Sequence, residues 1–135
     1  MANLVFVYGT LKKGRRLNSV FTEADTFLSH ATTVEDRFDL IGGGSFPYMT
    51  DHRGGFKVEG DLYQVSDNTL KRLDIIEGVP GHYKRETILV DINGKVSQEA
   101  FVYLSADEPN YNNNTGITVT SKTNGDVVKT WDARD

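Results

Sequence analysis

"VFVYGTLKKG", Val5 to Gly14, is the stretch on which the reading of this chain turns. With Leu4 before it, Val5 to Tyr8 is a continuous apolar run of β-formers, which predicts a buried strand. The run breaks at Gly9, and Lys12, Lys13, Arg15 and Arg16 follow at once. A turn of this kind can aim successive backbone N–H groups at a carboxylate, and Gly9 admits close approach because it has no side chain. Tyr8 adds a hydroxyl at the rim. The same residues also describe a plain strand-to-loop turn with solvated basic side chains, and the stretch alone does not separate the two. A nucleotide loop is a poorer reading. Gly9 and Gly14 satisfy G-x-x-x-x-G after a strand, but Arg15-Arg16 stands where phosphate and magnesium binding require Lys-Ser/Thr.

Outward from this stretch, Leu17, Val20, Phe21, Ala24, Phe27 and Leu28 fall at helical spacing and predict a helix or two short ones. Val34–Ile41 reads as a strand running into Gly42-Gly43-Gly44. Ser45 in "GGGSFP" lacks the closing glycine of a nucleophile elbow. Phe56, Val58, Gly60 and Leu62 alternate with polar residues, predicting a half-buried strand with a bend near Gly60. Ser66 or Asp67 caps a helix carrying Leu70, Leu73 and Ile76, which stops at Gly78 before Pro80. Glu86–Ile92 and Ala100–Leu104 flank Asn93-Gly94 as a hairpin. After the polar loop Asp107–Gly116, Ile117–Thr120 and Val127–Trp131 flank Asn124-Gly125 as another. Many strands, few helices and no repeated βαβ unit define an α+β fold whose sheet can close into a small mixed β-barrel of six to seven strands flanked by short helices.

At 135 residues the chain is read as a single domain, 1–135. It has no cysteine, which removes disulfides, thiolate nucleophiles and sulfur ligands together. His30, His52 and His82 are too scattered for a recognisable metal motif, so no metal site is expected. Lys+Arg 15 against Asp+Glu 19, a net charge of −4, argues against nucleic acid as a partner. No segment has the length of a membrane span, and the apolar run at the N-terminus is too short for a signal-peptide core, so a cytoplasmic protein is expected. Nothing in the pattern sets an oligomeric state.

The second informative stretch is "LKRLDIIEGVPGHYKR", Leu70 to Arg85. At 100° per residue Glu77 points close to the direction of Leu70 and Leu73, so an acid occupies a slot where a core side chain is expected; Asp74 lies further round, on the rim. Turned inward, this carboxylate has a raised pKa and is a competent general base near neutral pH. Turned outward, it is a solvated helix-end Glu or a partner for Lys84 or Arg85.

Together, "VFVYGTLKKG", "VEGDLYQV" (Val58–Val65) and "LDIIEGVPGHYKRETILV" (Leu73–Val90) resemble, in that order, the motifs of the γ-glutamylcyclotransferase-like family, and most closely its γ-glutamylamine cyclotransferase branch. The similarity covers roughly residues 4–104; the tail beyond it has no match to those motifs. The resemblance implies a small β-barrel in which Tyr8, Gly9, Thr10 and Leu11 bind the amino-acid end of a small γ-glutamyl substrate. It also implies that Glu77 is the general acid/base and Tyr83 lines the pocket. The implied reaction closes 5-oxoproline by attack of the substrate's α-amine on its own γ-carbonyl and expels a free amine, with no cofactor and no metal. The competing class is a pocket of the same make that binds a small amino-acid derivative without turnover. Walls that select the leaving amine are expected from Gly42–Thr50 and the tail.

Overall fold

The computed structural model describes residues 3–9, 11–12, 18–42, 47–92, 96–107 and 116–131. Thr10, Lys13, Arg15, Arg16, Gly43 to Ser45, Asn93-Gly94 and most of the loop 107–116 lie outside the described residues. In chain order the elements are β1 (Asn3–Val7), a 3-10 turn (Asn18–Val20), β2 (Thr26–Thr33), β3 (Asp39–Gly42), β4 (Pro47–Thr50) and β5 (Lys57–Val65). Then come α1 (Asp67–Ile76), β6 (Tyr83–Ile92), β7 (Val96–Ser105), β8 (Ile117–Ser121) and β9 (Val127–Trp131).

The apolar run that opens the chain becomes the strand that closes the barrel. β1 lies parallel to β7, with Val5 opposite Phe101, and antiparallel to β5, with Val5 opposite Tyr63. β7 pairs with β6, β6 with β2 and β2 with β5, so five strands form a closed mixed barrel. β9 extends the sheet by lying parallel to the start of β5, and β8 pairs antiparallel with β9. The β3–β4 hairpin stands apart as a small second sheet.

Alternation along β1 explains why its run is unbroken. Phe6 and Tyr8 belong to one core with Leu62, Val90, Val102, Leu104 and Trp131, whereas Val5 and Val7 belong to a second with Tyr63, Leu70, Leu73 and Tyr103. A strand covered on both faces cannot use polar residues on either. The bend expected at Gly60 has a specific cause. There β5 leaves β1 for β9, and a Cβ on Gly60 would lie 2.3 Å from the Val7 carbonyl oxygen.

α1 starts as expected, with the Thr69 N–H donating to the Ser66 side chain at 3.2 Å. Its end is a Schellman motif. The Gly78 N–H bonds to the Ile75 carbonyl, the Val79 N–H bonds to the Asp74 carbonyl, and Gly78 sits at φ +64.

The helix expected from Leu17 to Leu28 is corrected to the 3-10 turn followed by β2. The Asp25 carboxylate is the physical reason. It accepts from the Thr22 N–H, which makes the Thr22–Asp25 segment a closed turn, and from the Ser66 N–H and Thr69 hydroxyl at the head of α1. Beyond that anchor both edges of β2 are taken up by β5 and β6, and pairing overrides the helical spacing. The strand expected at Val34–Ile41 is likewise corrected: β2 ends at Thr33, and β3 begins only at Asp39. Among the described residues the barrel is flanked by one α-helix and one 3-10 turn.

Candidate active site

The first wall of the site is the end of β1. The Lys12 N–H donates to the Gly9 carbonyl at 2.9 Å, which ties Lys12 back to the end of β1. Gly9 is buried, and a Cβ there would meet the Pro47 ring carbons at 2.9 Å, so only glycine allows β4 to lie against this turn. Leu11 is buried, and its carbonyl accepts from the Asn18 side chain, which also donates to the Tyr63 hydroxyl. The Lys12 ammonium donates to the Trp131 carbonyl at 2.6 Å, so this member of the basic cluster is directed at the C-terminal strand.

The second wall is the C-terminal end of α1, where Glu77 is the C-cap and its N–H bonds to the Leu73 carbonyl at 2.9 Å. Burial alone pushes the Glu77 carboxyl up to about 7, far above its ordinary 4.5. The negative end of the helix dipole acts in the same direction. The partners offered by the outward reading are engaged elsewhere: Lys84 pairs with Asp51 at 3.0 Å and Arg85 with Asp74 at 2.6 Å. Glu77 faces Tyr8 closely enough for its charge to act on the phenol. Burial raises the Tyr8 pKa well above its usual range, with Tyr83, Glu77 and Tyr48 adding to the rise and the Met49 N–H opposing it. Tyr8 is therefore a neutral hydroxyl at any physiological pH, and it donates to the Tyr103 carbonyl at 2.5 Å.

Tyr83 opens β6 on the far side of the Gly78–His82 turn and is buried. Its ring stacks on Tyr48 at 6.0 Å between centroids and 16° between planes. Three consecutive residues of β4 thus touch the site: Pro47 lies against Gly9, Tyr48 against Tyr83, and the Met49 N–H faces the Tyr8 hydroxyl. The structure brings Tyr8, Gly9, Leu11, Glu77 and Tyr83 to one end of the barrel; Thr10 lies outside the described residues. Sequence reasoning did not single out Tyr48, Met49 or Tyr103. The first two had a signal, since "PYMT" after a glycine run reads as a short strand returning toward whatever the glycines skirt. Tyr103 had none, because its neighbours are set by the closure of the barrel.

The chemistry available is that of a neutral phenol, a turn of backbone amides and a carboxylate that titrates near neutrality, which suits proton transfer on a bound polar molecule. Among the described residues no group of three His, Asp or Glu side chains is gathered for a metal ion. No helix among them is long and apolar enough to cross a membrane.

Comparison with known proteins agrees with this geometry. The sequence pattern of the "Gamma-glutamyl cyclotransferase, AIG2-like" family matches residues 5–124. The chain is 36% identical over 118 residues to a putative γ-glutamylcyclotransferase of Drosophila melanogaster, covering 81% of this chain and 73% of that protein. It is 38% identical over 122 residues to γ-glutamylaminecyclotransferase B of Danio rerio, covering 82% of this chain and 63% of the relative. Among solved structures, an AIG2-like protein from Mus musculus superposes with a TM-score of 0.70 at 29% identity, covering 80% of each chain. A barrel closed by its first strand, a glycine turn at that strand's end and a half-buried acid closing α1 accompany a family match over nearly the whole length: the chain belongs to the γ-glutamyl cyclotransferase, AIG2-like family.

Proposed function

We propose that this protein releases 5-oxoproline and a free amine from a γ-glutamyl amine or peptide, with Glu77 as the general acid/base. The turn that follows Tyr8, formed by Gly9, Thr10 and Leu11, holds the α-carboxylate and amine end of the substrate, and Tyr83 lines the pocket around the γ-glutamyl chain. Glu77 removes a proton from the substrate's α-ammonium group. The freed nitrogen attacks the γ-carbonyl carbon of the same molecule, closing a five-membered ring. As the tetrahedral centre collapses, the C–N bond to the leaving group breaks and Glu77 returns a proton to the departing amine; the surplus proton left on the ring nitrogen then passes by way of the freed carboxylate to the same amine, which departs as an ammonium. Both reacting groups belong to one molecule, so holding it folded supplies much of the acceleration, up to roughly 7–11 kcal/mol in favourable cases. Proton transfer and positioning suffice for each step without a metal or a cofactor.

The observation that carries this reading is Glu77 itself: a carboxyl whose pKa burial pushes up to about 7, and whose charge is felt by the Tyr8 phenol at the end of β1. The relatives named as γ-glutamylaminecyclotransferases support the choice of an amine as the leaving group. The test is to incubate the protein with a panel of γ-glutamyl amines that includes γ-glutamyl-ε-lysine and to assay 5-oxoproline. Turnover of one member establishes both reaction and substrate class. Saturable binding without product across the panel marks a non-catalytic binding module instead.

A further inference from the structure

Three side chains at the junction of α1 with the barrel take no part in the steps above, yet they connect both walls of the site. The Tyr103 hydroxyl, from β7, donates to the Asp74 carboxylate at 2.8 Å. The other Asp74 oxygen accepts from the Arg85 guanidinium of β6 at 2.6 Å, and that guanidinium lies 4.7 Å above the Phe101 ring. Asp74 sits one turn before Glu77 on α1, and its own carbonyl accepts the Val79 N–H that closes the helix end. Tyr103 also reaches the opposite wall, because its carbonyl is the acceptor for the Tyr8 hydroxyl. One residue thus grips Tyr8 through its backbone and the Glu77-bearing helix through its side chain.

We propose that Tyr103, Asp74 and Arg85 form a latch that fixes the end of α1 against β6 and β7 and so sets the position of Glu77 relative to Tyr8. They are positioning residues, and the inference rests on the acid/base role given to Glu77 above. The remaining contacts of α1 explain why a latch is needed. Leu70 and Leu73 anchor the helix in the second core, whereas Ile75 and Ile76 beyond them are exposed and hold nothing in place. Without Asp74, the segment after Leu73 keeps its helix-end backbone bonds, the His82 N–H bond to the Gly78 carbonyl and the packing of Val79. A displacement of the order of 1 Å at a reacting group costs about 100-fold in rate, so a loose helix end is felt in kcat. Around the helix end, the Tyr8 phenol feels the charge of Glu77 together with the phenols of Tyr83 and Tyr48, the Asp74–Arg85 pair lies one turn before Glu77, and the His82 imidazole sits beside Gly78.

The experiment combines Tyr103→Phe, Asp74→Ala, Asp74→Asn and the double variant Tyr103→Phe/Asp74→Ala. On a γ-glutamyl amine that the wild type turns over, Tyr103→Phe and Asp74→Ala are expected to lower kcat by about 10–100-fold with KM within about twofold. The double variant should be no worse than Asp74→Ala, because that single already removes the Tyr103 contact along with the Arg85 pair, and Asp74→Asn should be milder because it keeps an acceptor for Tyr103. Fully additive losses, or kcat per folded molecule equal to wild type, overturn the latch. Two readouts need no turnover: amide hydrogen exchange at Gly78 and Val79, and titration of the Glu77 carboxyl by carbon NMR. Both single variants should speed the exchange and move the Glu77 titration down toward the ordinary carboxylate range as water reaches it. If neither changes, the latch is wrong even in an active enzyme. If both change in a protein that forms no 5-oxoproline, the latch stands and the reaction assigned to the site fails.

Discussion

At the scale of single residues, Glu77 is a group whose usefulness and cost have one origin. Burial raises its pKa from 4.5 to about 7, so the folded protein holds this proton more tightly than the unfolded chain. Stability attributable to Glu77 is therefore greatest below its unfolded value, falls as pH rises between the two values, and above about 7 carries the full cost of a buried charge, about 3 kcal/mol. Glu77→Gln should abolish 5-oxoproline release and raise the melting temperature at pH 8, while at pH 4 the two proteins should melt together. Equal melting temperatures at both pH values would show a hydrated carboxylate and remove the basis of its catalytic assignment. The same titration sets activity. The base form is needed to take the ammonium proton, so kcat/KM should climb through about pH 7 on its acid side, and a limb near 4.5 would mean the site is wet.

At the scale of elements, the β3–β4 hairpin decides the shape of the Gly9 turn. Pro47 lies where a side chain on residue 9 would point, and a proline ring cannot swing aside as a lysine would. Gly9→Ala should push β4 away, raising KM for a γ-glutamyl amine and costing about 1–3 kcal/mol in denaturant unfolding; an unchanged KM would show that β4 does not shape the binding turn. This hairpin was poorly legible in the sequence, since two four-residue strands joined through a glycine run give too few alternations to count. α1 was legible in its bounds and in the Leu70–Leu73 part of its face, because Ser66 and Gly78 give a start and a stop that agree, whereas Ile76, expected on the same face, is exposed beyond the end of the core. β2 was misread because Val20, Phe21 and Phe27 do pack on the second core, at a spacing that a turn followed by a strand satisfies as well as a helix. The latch could not be read at all: Asp74 looked like a rim residue until β7 was seen to bring Tyr103 beside it.

At the scale of the whole molecule, two close contacts hold the tail and the barrel together. The first is Gly60, where β5 passes so near the Val7 carbonyl that no other residue fits. Gly60→Ala should cost about 1–3 kcal/mol or more, read as a lower denaturant midpoint, and a midpoint equal to wild type would show that β1 and β5 can separate cheaply. The second is the buried Asp39–Lys129 pair at 2.6 Å, which joins β3 to β9 and is completed by Arg53 at 3.0 Å from the other Asp39 oxygen and by the Phe56 ring beneath the ammonium. Asp39→Ala takes the carboxylate from a lysine that is only 5% exposed, and should destabilise by about 3–5 kcal/mol. A loss within 1 kcal/mol would indicate that water reaches Lys129 on its own. Residues 105–135 carry none of the motifs read in the sequence, yet Val128, Lys129 and Trp131 are as buried as the barrel strands, so β9 belongs to the core.

The placement of β1 has a kinetic consequence. Its neighbours are Tyr63 on one side and Phe101 on the other, so β1 leaves the ribosome well before either partner. Both its edges are bare until β5 emerges and one stays bare until β7 does, and closing loops of that span delays folding relative to a chain of local contacts. The end of the barrel that carries the Gly9 turn is thus assembled late, and a fragment that stops short of β7 inherits the hydrophobic strand without the barrel that shelters it.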